Sequence, residues 1–111
     1  MSVFKILRAA ERAALDAEGR FAGSADDRRD GFVHLSAAHQ VEGTLRRHFA
    51  GEEGLWLLAL AKERLGDALR WEASRGGEAF PHLFRPLEAA DVVWAAPLPL
   101  RDGRHVLPAL G

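Results

Sequence analysis

The chain has no cysteine. That excludes a disulfide framework, a thiolate metal site and a thiol nucleophile, and it fits a reducing compartment. Charge of one sign is also missing: formal net charge is −1. Bulk electrostatics therefore point to neither nucleic acid nor a membrane surface as partner. No apolar run approaches the ~20 residues of a membrane span, and no apolar signal region opens the chain. The expectation is a cytoplasmic protein. Lysine is scarce as well, since thirteen of the fifteen cations are arginine. The arginines form no stripe. Internal repeats and low-complexity linkers are absent.

What is there is ordinary globular composition, 48% hydrophobic and 28% charged over 111 residues. That length predicts one domain, residues 1–111, with enough chain to bury a core. "VFKIL", residues 3–7, reads as a strand whose one polar residue is Lys5. "RAAERAALDAEG" has helical spacing and a stop at Gly19. "GSADDRRDG" reads as turn chemistry. "FVHLS" alternates, placing Phe32, His34 and Ser36 on one face and Val33 and Leu35 on the other.

Ser36 then reads as the N-cap of a second helix, with Ala37, Val41, Leu45, His48 and Phe49 on its apolar face. "LWLLAL" is a buried strand. "ALRWE" is another, with Leu69 and Trp71 opposite Arg70 and Glu72; the period of two predicts a core Trp71. "DVVWAAPLPL" is a late strand, and its prolines at 97 and 99 predict a sheet edge. The fold class is α+β: two main helices and a mixed or antiparallel sheet.

Chemistry concentrates in two places. His34 lies at a strand-to-helix junction, where backbone donors and the helix dipole point outward together. Within "RWEASRGGEAFPHLFRPL", residues 70–87, "SRGGE" reads as flexible and "FPHLF" as a rigid extended segment, too polar for a core strand, presenting His82 between aromatics and prolines. The two segments are expected to line one cleft. Glu72 lies between Arg70 and Arg75, which favours its ionised form. No histidine pair has metal-motif spacing, and no metal is expected.

The segments "DGFVHLSAAHQVEGTLRRHF", "LRWEASRGG" and "FPHLFRPL" resemble the bacterial family known as domain of unknown function (DUF) 952, over about residues 3–99. The resemblance implies the ADP-ribosylation fold, whose bent, split sheet frames a nicotinamide-ribose pocket. It implies an ADP-ribosyltransferase-like activity at the anomeric carbon of NAD or an ADP-ribose compound. His34 and Lys5 would then position the ribose, and Ser36 would orient the nicotinamide or a phosphate. Glu72, flanked by Arg70 and Arg75, would stabilise an oxocarbenium-like transition state, and His82 would close the far wall or act on the acceptor. Many relatives carry histidine at the position of Lys5, and "PHLY" where this chain has "PHLF", so Phe84 lacks a hydroxyl that can touch a ligand. Two further expectations stand beside this one. The first is a non-catalytic binding module for a nucleotide, phosphosugar or other small anionic metabolite. The second is a structural or partner-binding protein.

Overall fold

The computed structural model describes residues 1–74 and 76–110. Ten strands and four α-helices follow one another. β1 (Ser2–Leu7), α1 (Ala9–Glu18), β2 (Arg20–Phe21), α2 (Ala25–Asp30), β3 (Val33–His34) and α3 (Val41–His48) build the first half. β4 (Leu55–Ala61), α4 (Lys62–Leu65), β5 (Leu69–Ala73), β6 (Ala79–Leu83), β7 (Leu87–Glu88), β8 (Val92–Leu98), β9 (Leu100–Arg101) and β10 (Arg104–His105) build the second. All strand pairs among the described residues are antiparallel. The class is α+β.

Two three-stranded sheets dominate, ordered β1-β4-β8 and β3-β6-β5. In the first, β1 and β4 are buried on both faces, while the edge strand β8 is partly exposed. Along β1, Val3 and Leu7 join one core cluster with Leu58, Leu60 and Leu15 of α1. Phe4 and Ile6 point the other way, into a second cluster with Val41 and Leu45 of α3. A strand covered on both sides needs a near-continuous apolar run, which is what "VFKIL" and "LWLLAL" supply. Lys5 shares the parity of Val3 and Leu7 and is itself buried. Pro97 sits in β8, an edge strand of this sheet.

A bridge joins the sheets. Phe4 and Ser36 exchange two backbone hydrogen bonds, of 2.8 and 2.9 Å. The strands thus run β8-β4-β1 and then β3-β6-β5, split where β1 and the end of β3 diverge.

Four readings from the sequence change here. "GSADDRRDG" is not only a turn: its middle forms α2, capped by Ser24 and stopped by Gly31 at φ 87°. Ser36 does not cap a helix, because it is held extended in the bridge to Phe4. The chain enters α3 through a 3-10 turn at Ala38–Gln40, whose buried Gln40 accepts a hydrogen bond from Ala37 N. "AFPHL", read as extended but too polar for a core strand, is β6, the central strand of its sheet. Proline is normally excluded from such a place, since it has no N–H for the ladder. Pro81 is tolerated because its carbonyl, and so its nitrogen side, faces Leu35. There β3 ends and the chain leaves for the bridge, so only one terminal bond is lost. Finally, Trp71 is 39% exposed. Period two does place it opposite Arg70 and Glu72, but β5 is an edge strand, and Trp71 covers Pro81 rather than filling the core.

Candidate functional site

The site is organised by a residue that sequence reasoning passed over. Ser24 and Asp27 form a reciprocal capping box: Ser24 Oγ accepts from Asp27 N at 3.2 Å, and Asp27 Oδ2 accepts from Ser24 N at 2.9 Å. Asp27 Oδ2 also accepts from Lys5 Nζ at 3.0 Å. Its other oxygen, Oδ1, accepts from His34 N at 3.0 Å and lies 2.6 Å from His34 Nδ1. One carboxylate, 2% exposed, thus ties α2 to β1 and β3. Burial pushes the Asp27 pKa up, but the hydrogen bond from His34, the charge of Lys5 and the backbone donors outweigh it. They hold the carboxyl well below the usual carboxylate range. Gly23 makes room: at φ 124° a side chain there is strained, and its Cβ would stand 2.6 Å from that of Asp27. The pattern S-x-x-D before a glycine-terminated segment was the available signal.

His82 lies directly across from His34 in the β3–β6 register. The two rings meet edge to face at 5.7 Å between centroids. Phe32 stacks on His82 at 4.0 Å. The Nδ1 of His82 is 2.8 Å from Glu72 Oε1, so each imidazole has a carboxylate at the same ring atom. Arg70 faces His82 from β5, and its guanidinium lies over the exposed ring of Phe84, 5.1 Å from the centroid.

Beside this pair opens a cleft of about 450 Å³, within the range of small-molecule sites. Its walls come from β1, α2, β3 and α3, and His34, His82, Lys5 and Ser36 all line it. Ser36 Oγ pairs with Thr44 Oγ1 at 3.1 Å. His48, expected on the packed face of its helix, is exposed and lines the cleft, because α3 packs through Val41 and Leu45. Asp30 reaches the same space, with Oδ2 3.0 Å from His34 Nε2. A hydrogen bond from Arg29, helped by the charges of Arg29 and His34, lowers its pKa and outweighs desolvation, which acts to raise it.

Three expected site residues stand apart. Glu72, Arg70 and Phe84 share the sheet face of His82 but are not in the cleft wall. Arg75 lies outside the described residues. Lys5 borders the cleft, yet its ammonium is engaged by Asp27 and by His34 O at 3.1 Å. Among the described residues no cluster of His, Asp and Glu has the arrangement of a metal site.

The family model described as "Protein of unknown function (DUF952)" matches residues 6–95. The chain belongs to the DUF952 family. Protein CC0527 from Caulobacter crescentus is 50% identical to this chain in its crystal structure, with a TM-score of 0.90 over 96% of this chain and 94% of that one. Its solution structure matches at 49% identity and a TM-score of 0.84, over 94% of this chain and 90% of that one. No curated protein matches this DUF952 chain.

Proposed function

We propose that this DUF952 protein binds a nucleotide of the NAD or ADP-ribose class in the cleft and acts as an ADP-ribosyltransferase-like protein. The observation that carries the reading is the His34–His82 pair. Two imidazoles from neighbouring strands meet at one cleft, each held through Nδ1 by a carboxylate. A ring held at Nδ1 offers Nε2 to a ligand, and imidazole handles ribose hydroxyls in either role, donor or acceptor. The split between the two antiparallel sheets, with the cleft beside it, supports a likeness to the ADP-ribosylation fold. Likeness of fold is a weaker warrant for chemistry than the site itself.

In such a transfer the bond from the ribose anomeric carbon to the nicotinamide nitrogen breaks, and its electron pair leaves with nicotinamide. An acceptor oxygen or nitrogen bonds to the anomeric carbon and gives up its proton. His82, backed by Glu72, is the group that takes that proton, while His34, backed by Asp27, holds the ribose. Glu72 acts through His82, steadying its ring, rather than on the sugar.

One observation favours the non-catalytic reading. Neither Lys5 nor Glu72 presents a disengaged charge to the cleft, so the transition state would lack a preplaced carboxylate from β5. A thermal-shift screen with NAD, ADP-ribose and nicotinamide mononucleotide, followed by an assay for released nicotinamide, tests both. Saturation at about 100 times the dissociation constant stabilises by ~2.7 kcal/mol, which is easily seen. Stabilisation with nicotinamide release supports the transferase, stabilisation without release supports the binding module, and no shift with any of the three refutes the nucleotide reading.

A further inference from the structure

Of the groups around the cleft, Asp27 is the one whose geometry implies most. It accepts hydrogen bonds from four donors on three segments of the chain. Two of the four belong to His34, one backbone and one ring. A buried carboxylate accepting from N–H and Nδ1 of the same residue fixes both the position of the backbone and the rotation of the ring about it. An ionised carboxylate can only accept, so the 2.6 Å contact requires the proton to be on Nδ1.

We propose that Asp27 is the positioning residue of this site: it holds His34 in the Nδ1–H tautomer, so that Nε2 is the atom offered to the ligand. In the neutral ring Nε2 then carries a lone pair. The ligand group it suits is a hydrogen-bond donor, and the donor a ribose-containing nucleotide supplies is a sugar hydroxyl. This rests on the reading of the cleft as a nucleotide site. Asp30, about a third exposed (34%) and shared with Arg29, also only accepts, so its 3.0 Å contact with Nε2 belongs to the doubly protonated ring; in the neutral ring that contact is lost and Nε2 is left to the hydroxyl.

Lys5 fits as the counter-charge rather than as a ligand contact. Its ammonium holds the second oxygen of Asp27 and the carbonyl of His34, so it locks the same residue from behind. A purely structural Asp27–Lys5 pair would not require the ring nitrogen to be involved.

The test is histidine side-chain nitrogen and proton NMR on the full chain, at a pH where the rings are neutral, joined to calorimetry with ADP-ribose. Wild type is expected to show His34 as the Nδ1–H tautomer with a far-downfield Nδ1 proton, as a short charge-assisted bond gives. In Asp27→Ala that signal disappears, the ring relaxes toward Nε2–H, and ADP-ribose binds about tenfold more weakly, the equivalent of one hydrogen bond. Asp27→Ala leaves a lone buried lysine and can fail to fold. The double variant Lys5→Met with Asp27→Ala removes both charges and gives the same readout. Lys5→Met alone keeps the downfield proton and the tautomer. A wild-type His34 in the Nε2–H form, or a spectrum indifferent to Asp27, overturns the proposal. Spectra as expected with no ADP-ribose binding in wild type would leave Asp27 in its role and sink the nucleotide reading.

Discussion

The two three-stranded sheets divide the labour of the molecule. In β1-β4-β8, the strands β1 and β4 are clad on both faces by leucine, valine and isoleucine, and the one interior charge is Lys5. β3-β6-β5 has a single core face, where Val33, Leu35 and Leu83 pack, and turns Phe32, His34, His82, Arg70 and Glu72 outward. The first sheet can be stable without carrying chemistry. The second carries polar groups in fixed register because one of its faces is anchored in the first sheet's core. Lys5 and the Phe4–Ser36 bridge are where the two meet, so the histidine pair is positioned by both.

The largest expected effect is at that junction. Asp27→Ala should cost about 3–5 kcal/mol in urea unfolding, because it leaves Lys5 buried without a partner. A cost near zero would mean that the sheets are joined by the bridge alone. Replacing both members, Lys5→Met with Asp27→Leu, should recover much of the loss, since apolar pairs replace buried ion pairs well. Next, Leu58→Ala in the middle of the first sheet should cost about 2–5 kcal/mol as a core truncation. An effect below that range would break the claim that this sheet supplies the stability.

A pH series sharpens the same contrast. Asp27 and Asp91, the latter clamped by Arg85 at 2.8 and 2.9 Å, both have lowered pKa values in the folded chain. The unfolded chain therefore holds more protons in the acid range, and stability rises with pH there. Their contribution is full above the unfolded carboxylate value of about 4 and falls away as pH drops toward the folded values. Urea midpoints at neutral pH and on the acid side should show that loss, and the Lys5→Met with Asp27→Leu variant should lose less. An acid dependence equal to wild type in that variant would contradict the buried pair.

The sequence made one sheet far more legible than the other. "VFKIL" and "LWLLAL" read directly, because a strand buried on both faces is apolar throughout. α1 read from its alanine and leucine spacing and from Gly19. "AFPHL" read as extended but not as a central strand, because Pro81 and His82 are unlike one. Only the neighbour's early end lets proline sit there, and that is a tertiary fact. α2 is six residues long and polar, so no apolar period announced it. A shared cleft for His34 and His82 was expected once both segments were taken as extended; their direct cross-strand pairing was not. Asp27 did not follow, since its partners lie 22 and 7 residues away along the chain.

The smallest stability effect is expected on the edge of the second sheet. Trp71→Ala should cost about 1 kcal/mol, well short of the ~3–5 of a buried tryptophan, since the ring covers Pro81 on an edge strand. A cost in the buried range would show that the second sheet has a core of its own.

The most direct test of the account is titration calorimetry of His34→Ala against ADP-ribose. If the nucleotide reading is right, wild type binds, and the variant, which stays folded, binds more weakly by about 1.5–3 kcal/mol, the scale of a lost buried partner. A variant that binds ADP-ribose as tightly as wild type would remove His34 from the ligand and the site from this cleft.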